Sequence, residues 1–207
     1  MAEKNSQQAI AISIASLVLF VLLAITPFRG VLKNVDLASQ TFIEIHRSPA
    51  LTSFMVIVTN VASPLYLFIL SIIFSVLLIL FNKTRGVGTF FLSMCAGLII
   101  ETILKHFLGV LRPTGGIVHA TSGSFPSGHA TMATIFFVNT INVVRHHTKH
   151  PVLQTLFMAF SVLAILCIAV SRVYLGVHWL TDVFGGVLLG LFCFSATVSV
   201  LKKSLSR

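Results

Sequence analysis

Six stretches of this chain are apolar for long enough to cross a bilayer as helices, and short polar breaks separate them. A spanning helix needs about 20 mainly apolar residues, and no alternating pattern of about ten residues suggests a barrel. The first run covers Ala9 to Thr26. It exceeds a signal-peptide core, and Pro27, Phe28 and Arg29 after it offer no small-x-small cleavage site. The second, about residues 51 to 81, contains Pro64, which predicts one tilted, kinked span or a short helix leading into a span. The third runs from Gly86 to about Val110, and Pro113 marks its stop, because the residue before a proline avoids helical dihedrals. The fourth opens at Pro126-Ser127-Gly128-His129 and closes at the basic turn Arg145 to His150; the fifth covers about Val152 to Val170 and the sixth about Val177 to Leu201. Residues 28 to 50 mix Val35, Leu37, Phe42, Ile43 and Ile45 with Lys33, Asp36, Glu44 and Arg47, which suits a short helix in the membrane interface. Thr114 to Phe125 is a loop rich in Gly, Ser and Thr. The pattern predicts an all-α integral membrane bundle of six transmembrane helices, a single domain over residues 1–207 with its polar motifs at 105–182.

Composition agrees: with 56% hydrophobic and 9% charged residues this is not an ordinary soluble domain. The net charge of +9 therefore reads as membrane topology and not as a nucleic-acid footprint. Cys95, Cys167 and Cys193 are odd in number and lie inside apolar runs, which argues against a disulfide framework. Six spans put both ends on one side. That side carries Lys4, Lys83, Arg85, Arg145, Lys149, Lys202, Lys203 and Arg207, against Arg29, Lys33 and Arg47 on the other once Lys105, Arg112 and Arg172 are set aside. The positive-inside rule makes the termini cytoplasmic. By parity the end of span three, the start of four, the end of five and the start of six share the extracytoplasmic face, where Lys105, Arg112, His129, Arg172 and His178 converge.

The polar stretch Ser171 to Asp182 between two apolar runs is the centre of the chemistry. If residues from Val177 onward are helical, His178 and Asp182 stand at i and i+4, so the carboxylate holds one imidazole nitrogen and leaves the other free. A helix-end ion pair is the plain alternative. Arg172 lies on another helical face, and a break near Gly176 is needed to bring it round. Lys105 and Arg112 are two helical turns apart and share a face if the helix persists that far. Ser127 and Gly128 open span four, where free N–H groups and the helix dipole favour an anion. Three cations and a helix start make a phosphate cradle. His129 and His178 flank it, one to attack phosphorus and the other to protonate the leaving oxygen, since an unperturbed histidine titrates near pH ~6.5. No metal or other cofactor is required by this plan. A zinc site is the rival use of two histidines, but HExxH-type spacing and cysteine partners are lacking, and the cations would repel the ion.

Lys105-x6-Arg112-Pro113, then Pro126-Ser127-Gly128-His129, then Ser171-Arg172-x5-His178-x3-Asp182 resembles the three-part signature of the type 2 phosphatidic acid phosphatase superfamily, which includes the vanadium haloperoxidases. The layout is most similar to the small bacterial membrane lipid phosphatases that act as phosphatidylglycerophosphatase B or undecaprenyl diphosphatase. The resemblance implies His178 as a nucleophile passing through a phosphohistidine, Asp182 as its orienter, and His129 as general acid and then base for water. It assigns the phosphate to Lys105, Arg112, Ser127, Gly128 and Arg172. It implies a multi-pass cell-membrane hydrolase whose partner is a lipid phosphate or diphosphate in the bilayer, with undecaprenyl diphosphate leading and phosphatidylglycerophosphate or phosphatidate next, and no nucleic acid. A haloperoxidase-like oxidant enzyme, or a lipid-phosphate binder or transporter without chemistry, are the other readings.

Outside the signature, Glu101 one turn before Lys105 reads as an ion pair that orients the lysine. His106 and His119 lie near the mouth as solvated histidines, and His46, His146, His147 and His150 as surface residues. Trp179 and Tyr174 fall where a membrane-interface aromatic belt is expected.

Overall fold

The structure, a computed structural model, describes residues 2–84 and 86–205. Arg85 and Arg207, and the side chains of Lys4, Arg29, Lys202 and Lys203, all used above for orientation, lie outside what is described. The described chain is helical: α1 (Ala2–Ala24), α2 (Thr26–Ile45), α3 (Pro49–Val61), α4 (Pro64–Leu80), α5 (Val87–Leu108), α6 (Gly128–His147), α7 (Pro151–Tyr174) and α8 (Leu180–Leu205).

Proline starts many of these helices. A proline stands in the first turn of α2, α3, α4 and α7, where its fixed φ suits the helix and its missing N–H costs nothing. Ser48 and Ser63 cap α3 and α4 by accepting from the N–H groups of Leu51 and Tyr66. Pro64 therefore begins a new helix, and α3 and α4 meet at a bend of 49°.

Among the described residues four helices, α1, α5, α7 and α8, are long and apolar enough to cross a membrane, and α3 with α4 makes a fifth if the bent pair is one span. That is fewer than the six expected. The difference is α6, which carries Thr131, Thr134, Asn139 and Thr140 in buried positions. These groups are tolerated because α6 is enclosed by α4, α5, α7 and α8 and the hydroxyls and the Asn139 amide nitrogen bond internally. Thr134 Oγ1 donates to the Ala130 carbonyl at 2.8 Å, and Asn139 Nδ2 donates to Ser93 Oγ at 2.8 Å and the Ile135 carbonyl at 2.9 Å.

Small residues set the closeness of α6 and α8. A Cβ on Gly186 would lie 2.5 Å from the Ser127 carbonyl oxygen, and one on Gly190 would lie 2.7 Å from Thr134 Cβ. Two glycines four apart thus let the backbones nest and bring the start of α8 against the start of α6. α2 does more than lie in the interface. Its buried Asp36 accepts from Thr181 N–H at 2.9 Å and Thr181 Oγ1 at 2.7 Å, tying α2 to the first turn of α8. Tyr174 is likewise no interface residue: it is buried, and its hydroxyl lies 3.0 Å from Thr52 Oγ1 and 3.2 Å from Ser48 N.

Candidate active site

The end of α7 delivers Arg172, and the turn after it delivers His178. α7 stops at Tyr174 and Gly176 follows with φ +70°, a conformation that L side chains rarely adopt. A Cβ there would also lie 2.9 Å from Arg47 Nη2 and 3.2 Å from Gly116 Cα. This is the break that brings Arg172 and His178 to one place. α8 begins only at Leu180, so His178 and Asp182 do not meet through helical i, i+4 spacing as expected; His178 sits in the turn ahead of the helix and Asp182 in its first turn.

Asp182 is completely buried and its Oδ2 accepts from Trp179 N–H at 2.9 Å and from the Ser124 hydroxyl. His178 Nδ1 is 3.6 Å from the same oxygen and 3.5 Å from Ser124 Oγ, so serine, carboxylate and imidazole form one buried cluster. Burial pushes the His178 imidazole down to about 4, against the opposing pull of Asp182. The ring is neutral at ordinary pH. Its other nitrogen, Nε2, faces Arg112 Nη1 at 3.3 Å.

Arg112 is not on α5. That helix ends at Leu108 with Gly109 at φ +53°, and Arg112 follows in an irregular segment. Three carbonyls aim it: Nη1 donates to Val177 O at 2.5 Å, Nε to Ser122 O at 2.9 Å and Nη2 to Gly123 O at 3.2 Å. Burial lowers its pKa from the usual arginine value, partly offset by Asp182 and Glu101.

Arg172 is buried on the α3 side, where Nη1 donates to Thr59 Oγ1 and Nε has no partner. Ser127 Oγ is also buried and unpartnered, while its N–H donates to the Asp182 carbonyl at 3.0 Å. His129 stands in the first turn of α6, near Thr59 and facing the charges of Arg172 and Lys105. Lys105 pairs with Glu101, and this pair lies against Gly128, where a Cβ would overlap Glu101 Oε1 and come within 3.2 Å of Lys105 Nζ. A cavity of about 450 Å³ opens beside it, lined by Glu101, Thr102, Lys105, His106, Thr121, Ser122 and Gly123.

The structure thus brings Lys105, Arg112, Ser127, Gly128, His129, Arg172, His178 and Asp182 to the neighbouring ends of α5, α6, α7 and α8. Ser124, Thr59 and Asp36 are site-building residues that the sequence did not single out. His119 and His106 are exposed, and His106 lines the cavity. Trp179 fixes its indole by donating to Leu111 O at 2.9 Å.

A model of the PAP2 superfamily matches residues 86–206, which include every one of these eight residues. The chain belongs to the PAP2 superfamily. Its PAP2 relatives include phosphatidylglycerophosphatase B of Bacillus subtilis, 31% identical over 180 residues that cover 84% of this chain and 87% of the relative. An undecaprenyl-diphosphatase of Sulfolobus acidocaldarius is 31% identical over 132 residues, 60% of each chain. Among solved structures, the PAP2-type phosphatidylglycerolphosphate phosphatase of Bacillus subtilis superposes with a TM-score of 0.81 at 26% identity, covering 94% of this chain and 95% of that one. LpxE of Aquifex aeolicus superposes with a TM-score of 0.63 at 27% identity over 78% of this chain and 93% of that one. The apolar helices and this PAP2 kinship make the chain a multi-pass membrane protein of the lipid phosphatase family.

Proposed function

We propose that this protein hydrolyses a lipid phosphate or diphosphate through a phosphohistidine on His178. One observation carries the reading. His178 Nε2 opens toward Arg112 in a cradle where Ser127 Oγ and Arg172 Nε are buried without protein partners, so donors stand spare where a phosphoryl group would sit. In the first step neutral Nε2 attacks phosphorus, the bond from phosphorus to the departing oxygen breaks, and His129 supplies that oxygen's proton. Asp182 stabilises the cation that forms on the ring. Water then attacks the phosphohistidine, His129 takes its proton, the P–N bond breaks, and orthophosphate leaves. Lys105, Arg112, Arg172, Ser127 and the Gly128 N–H hold the charged oxygens throughout.

Relatives named for undecaprenyl diphosphate and phosphatidylglycerophosphate support those two lipids as substrates. A site at the helix ends suits a head group standing above a tail in the bilayer. We place α6 as the sixth crossing, the termini on the cytoplasmic side and the site on the extracytoplasmic side.

Phosphate release from purified undecaprenyl diphosphate, phosphatidylglycerophosphate and phosphatidate in detergent tests the reading. We expect turnover that survives chelator and is blocked by vanadate, whose trigonal-bipyramidal adduct on His178 mimics the transferring group. Binding of these lipids with no phosphate release would favour the binder or transporter reading, and peroxide-dependent halide oxidation by the vanadate-loaded protein the haloperoxidase one. An absolute need for Mg²⁺ or Zn²⁺ would remove the metal-free mechanism.

A further inference from the structure

Glu101 lies outside the signature, yet it is buried and points into the cradle. It sits on α5 one turn before Lys105, is 5% exposed, and pairs with Lys105 Nζ. Its Oε1 also lies against Gly128, the first residue of α6, while Oε2 is 3.5 Å from Thr102 Oγ1. The first turn of a helix, with free N–H groups and a positive dipole end, is where an anion is favoured. Beside that helix start the chain places a carboxylate of its own, packed against Gly128 and paired with Lys105. The other carboxylate of the site, Asp182, is engaged with Ser124 and Trp179, so among the described residues Glu101 is the carboxylate that pairs with Lys105.

We infer that Glu101 is a built-in competitor for the phosphate site: it pairs with Lys105 beside the start of α6, and opposes any phosphate that takes its place. This rests on the phosphate-binding reading of the cradle given above. Two consequences follow from charge alone. An arriving phosphate gains Lys105 only by drawing it from Glu101, and the phosphate left after hydrolysis is pushed outward by a like charge at the same spot. Glu101 acts through Lys105 and the helix start, and is a positioning residue that weakens product retention.

Binding is measured on the purified full-length protein in detergent, with orthophosphate and vanadate as probes and thermal shift as readout, so that no turnover is needed. Glu101→Gln should bind both anions at least about 10-fold more tightly, since a like charge close to the anion is removed; at about 4 Å and an effective dielectric of about 20 that repulsion would reach roughly 10³-fold, and it falls as the displaced carboxylate moves away. Inhibition by orthophosphate in the lipid assay should strengthen in parallel, and Glu101→Asp, which keeps the charge, should return both values toward wild type. A purely structural Glu101 would instead leave anion affinity unchanged or lowered in both variants, which would overturn the inference. If Glu101→Gln does not fold, the double variant Glu101→Met/Lys105→Met decides, since replacing a buried ion pair by apolar residues of similar volume is often tolerated. Lys105→Met alone should bind phosphate weakly, and the double variant should recover most of that loss. A double variant no better than Lys105→Met would sink the competitor role. If wild-type protein binds neither anion, the phosphate reading of the site fails and the inference with it; if it binds both and the variants do not differ, only the inference fails.

Discussion

Burial and one carboxylate pull His178 in opposite directions, and burial wins. The ring is therefore unprotonated in the free protein, as the proposed nucleophilic role requires, and in that mechanism Asp182 acts as positive charge develops on the ring during attack. Asp182→Asn keeps the volume but removes that charge and the tautomer it sets; turnover should fall on the order of 10²-fold or more with folding preserved. Activity within a few-fold of wild type would separate the two residues functionally. The same burial has a stability consequence with a fixed sign. A histidine at about 4 when folded and near its ordinary ~6.5 when unfolded takes its proton first in the unfolded chain, so its contribution is full above pH ~6.5 and is lost as pH falls toward 4. The thermal midpoint should decline over that window, and His178→Gln should flatten the decline; equal slopes would show that other groups carry it. The residues of the candidate site were legible in the sequence because histidine, arginine, lysine and aspartate stand out in an apolar chain. Ser124, Thr59 and Asp36 were not. Each acts through a partner far along the chain, Asp182, Arg172 and Thr181 respectively, and a serine in a Ser-rich loop carries no mark of which carboxylate it will meet.

At the scale of elements, starts were easier to read than ends. Pro49, Pro64 and Pro151 announce helices, whereas α5 ends at Gly109 and α7 turns at Gly176 through positive φ, which a glycine permits but does not dictate. That is why the sequence left open a helix persisting to Arg112, whereas α5 ends before it. α6 was legible as a helix from its length and its flanking breaks. Its central position was not, because Thr and Asn inside an apolar run are compatible with either a lipid-facing or an enclosed helix until neighbours are placed. The seam between α6 and α8 gives a test at this scale. Since a Cβ on Gly186 would reach 2.5 Å from the Ser127 carbonyl and 2.9 Å from Ala130 Cβ, Gly186→Val must spread the two helix starts. Overpacking of this kind costs roughly 1–3 kcal/mol. We expect a lower thermal midpoint and, because Ser127 and Asp182 ride on the two separated helices, a larger loss of turnover than of lipid binding. Normal kcat in a destabilised variant would show that the site tolerates the spread.

The whole molecule poses one question that span counting alone leaves between two answers, and α6 decides it. Its 20 residues rise about 30 Å at 1.5 Å each, the thickness of a bilayer's hydrocarbon core, and its two ends differ in kind. The cradle stands at its start, and Arg145, His146 and His147 stand in its last turn. A helix enclosed by neighbours is not held to the hydropathy of one facing lipid, so its polar residues do not argue against crossing. If α6 crosses, and α3 with α4 forms one bent span, the turn after α4 and the turn after α6 lie on one side and the loop before α6 lies on the other. The exposed residues Lys83, Lys149 and His119 mark those three places. Each changed to cysteine and treated with a membrane-impermeant maleimide should report its side, with wild type as the background because Cys95 and Cys167 are half-buried within helices and Cys193 is buried. We expect His119→Cys to label from outside intact cells, and Lys83→Cys and Lys149→Cys to label only in opened membranes, in keeping with positive charge on the cytoplasmic side. Labelling of His119→Cys and Lys149→Cys from the same side would mean that α6 does not cross. Labelling of Lys83→Cys and Lys149→Cys from outside, with His119→Cys protected, would keep the crossing and invert the molecule, placing the cradle against the cytoplasm.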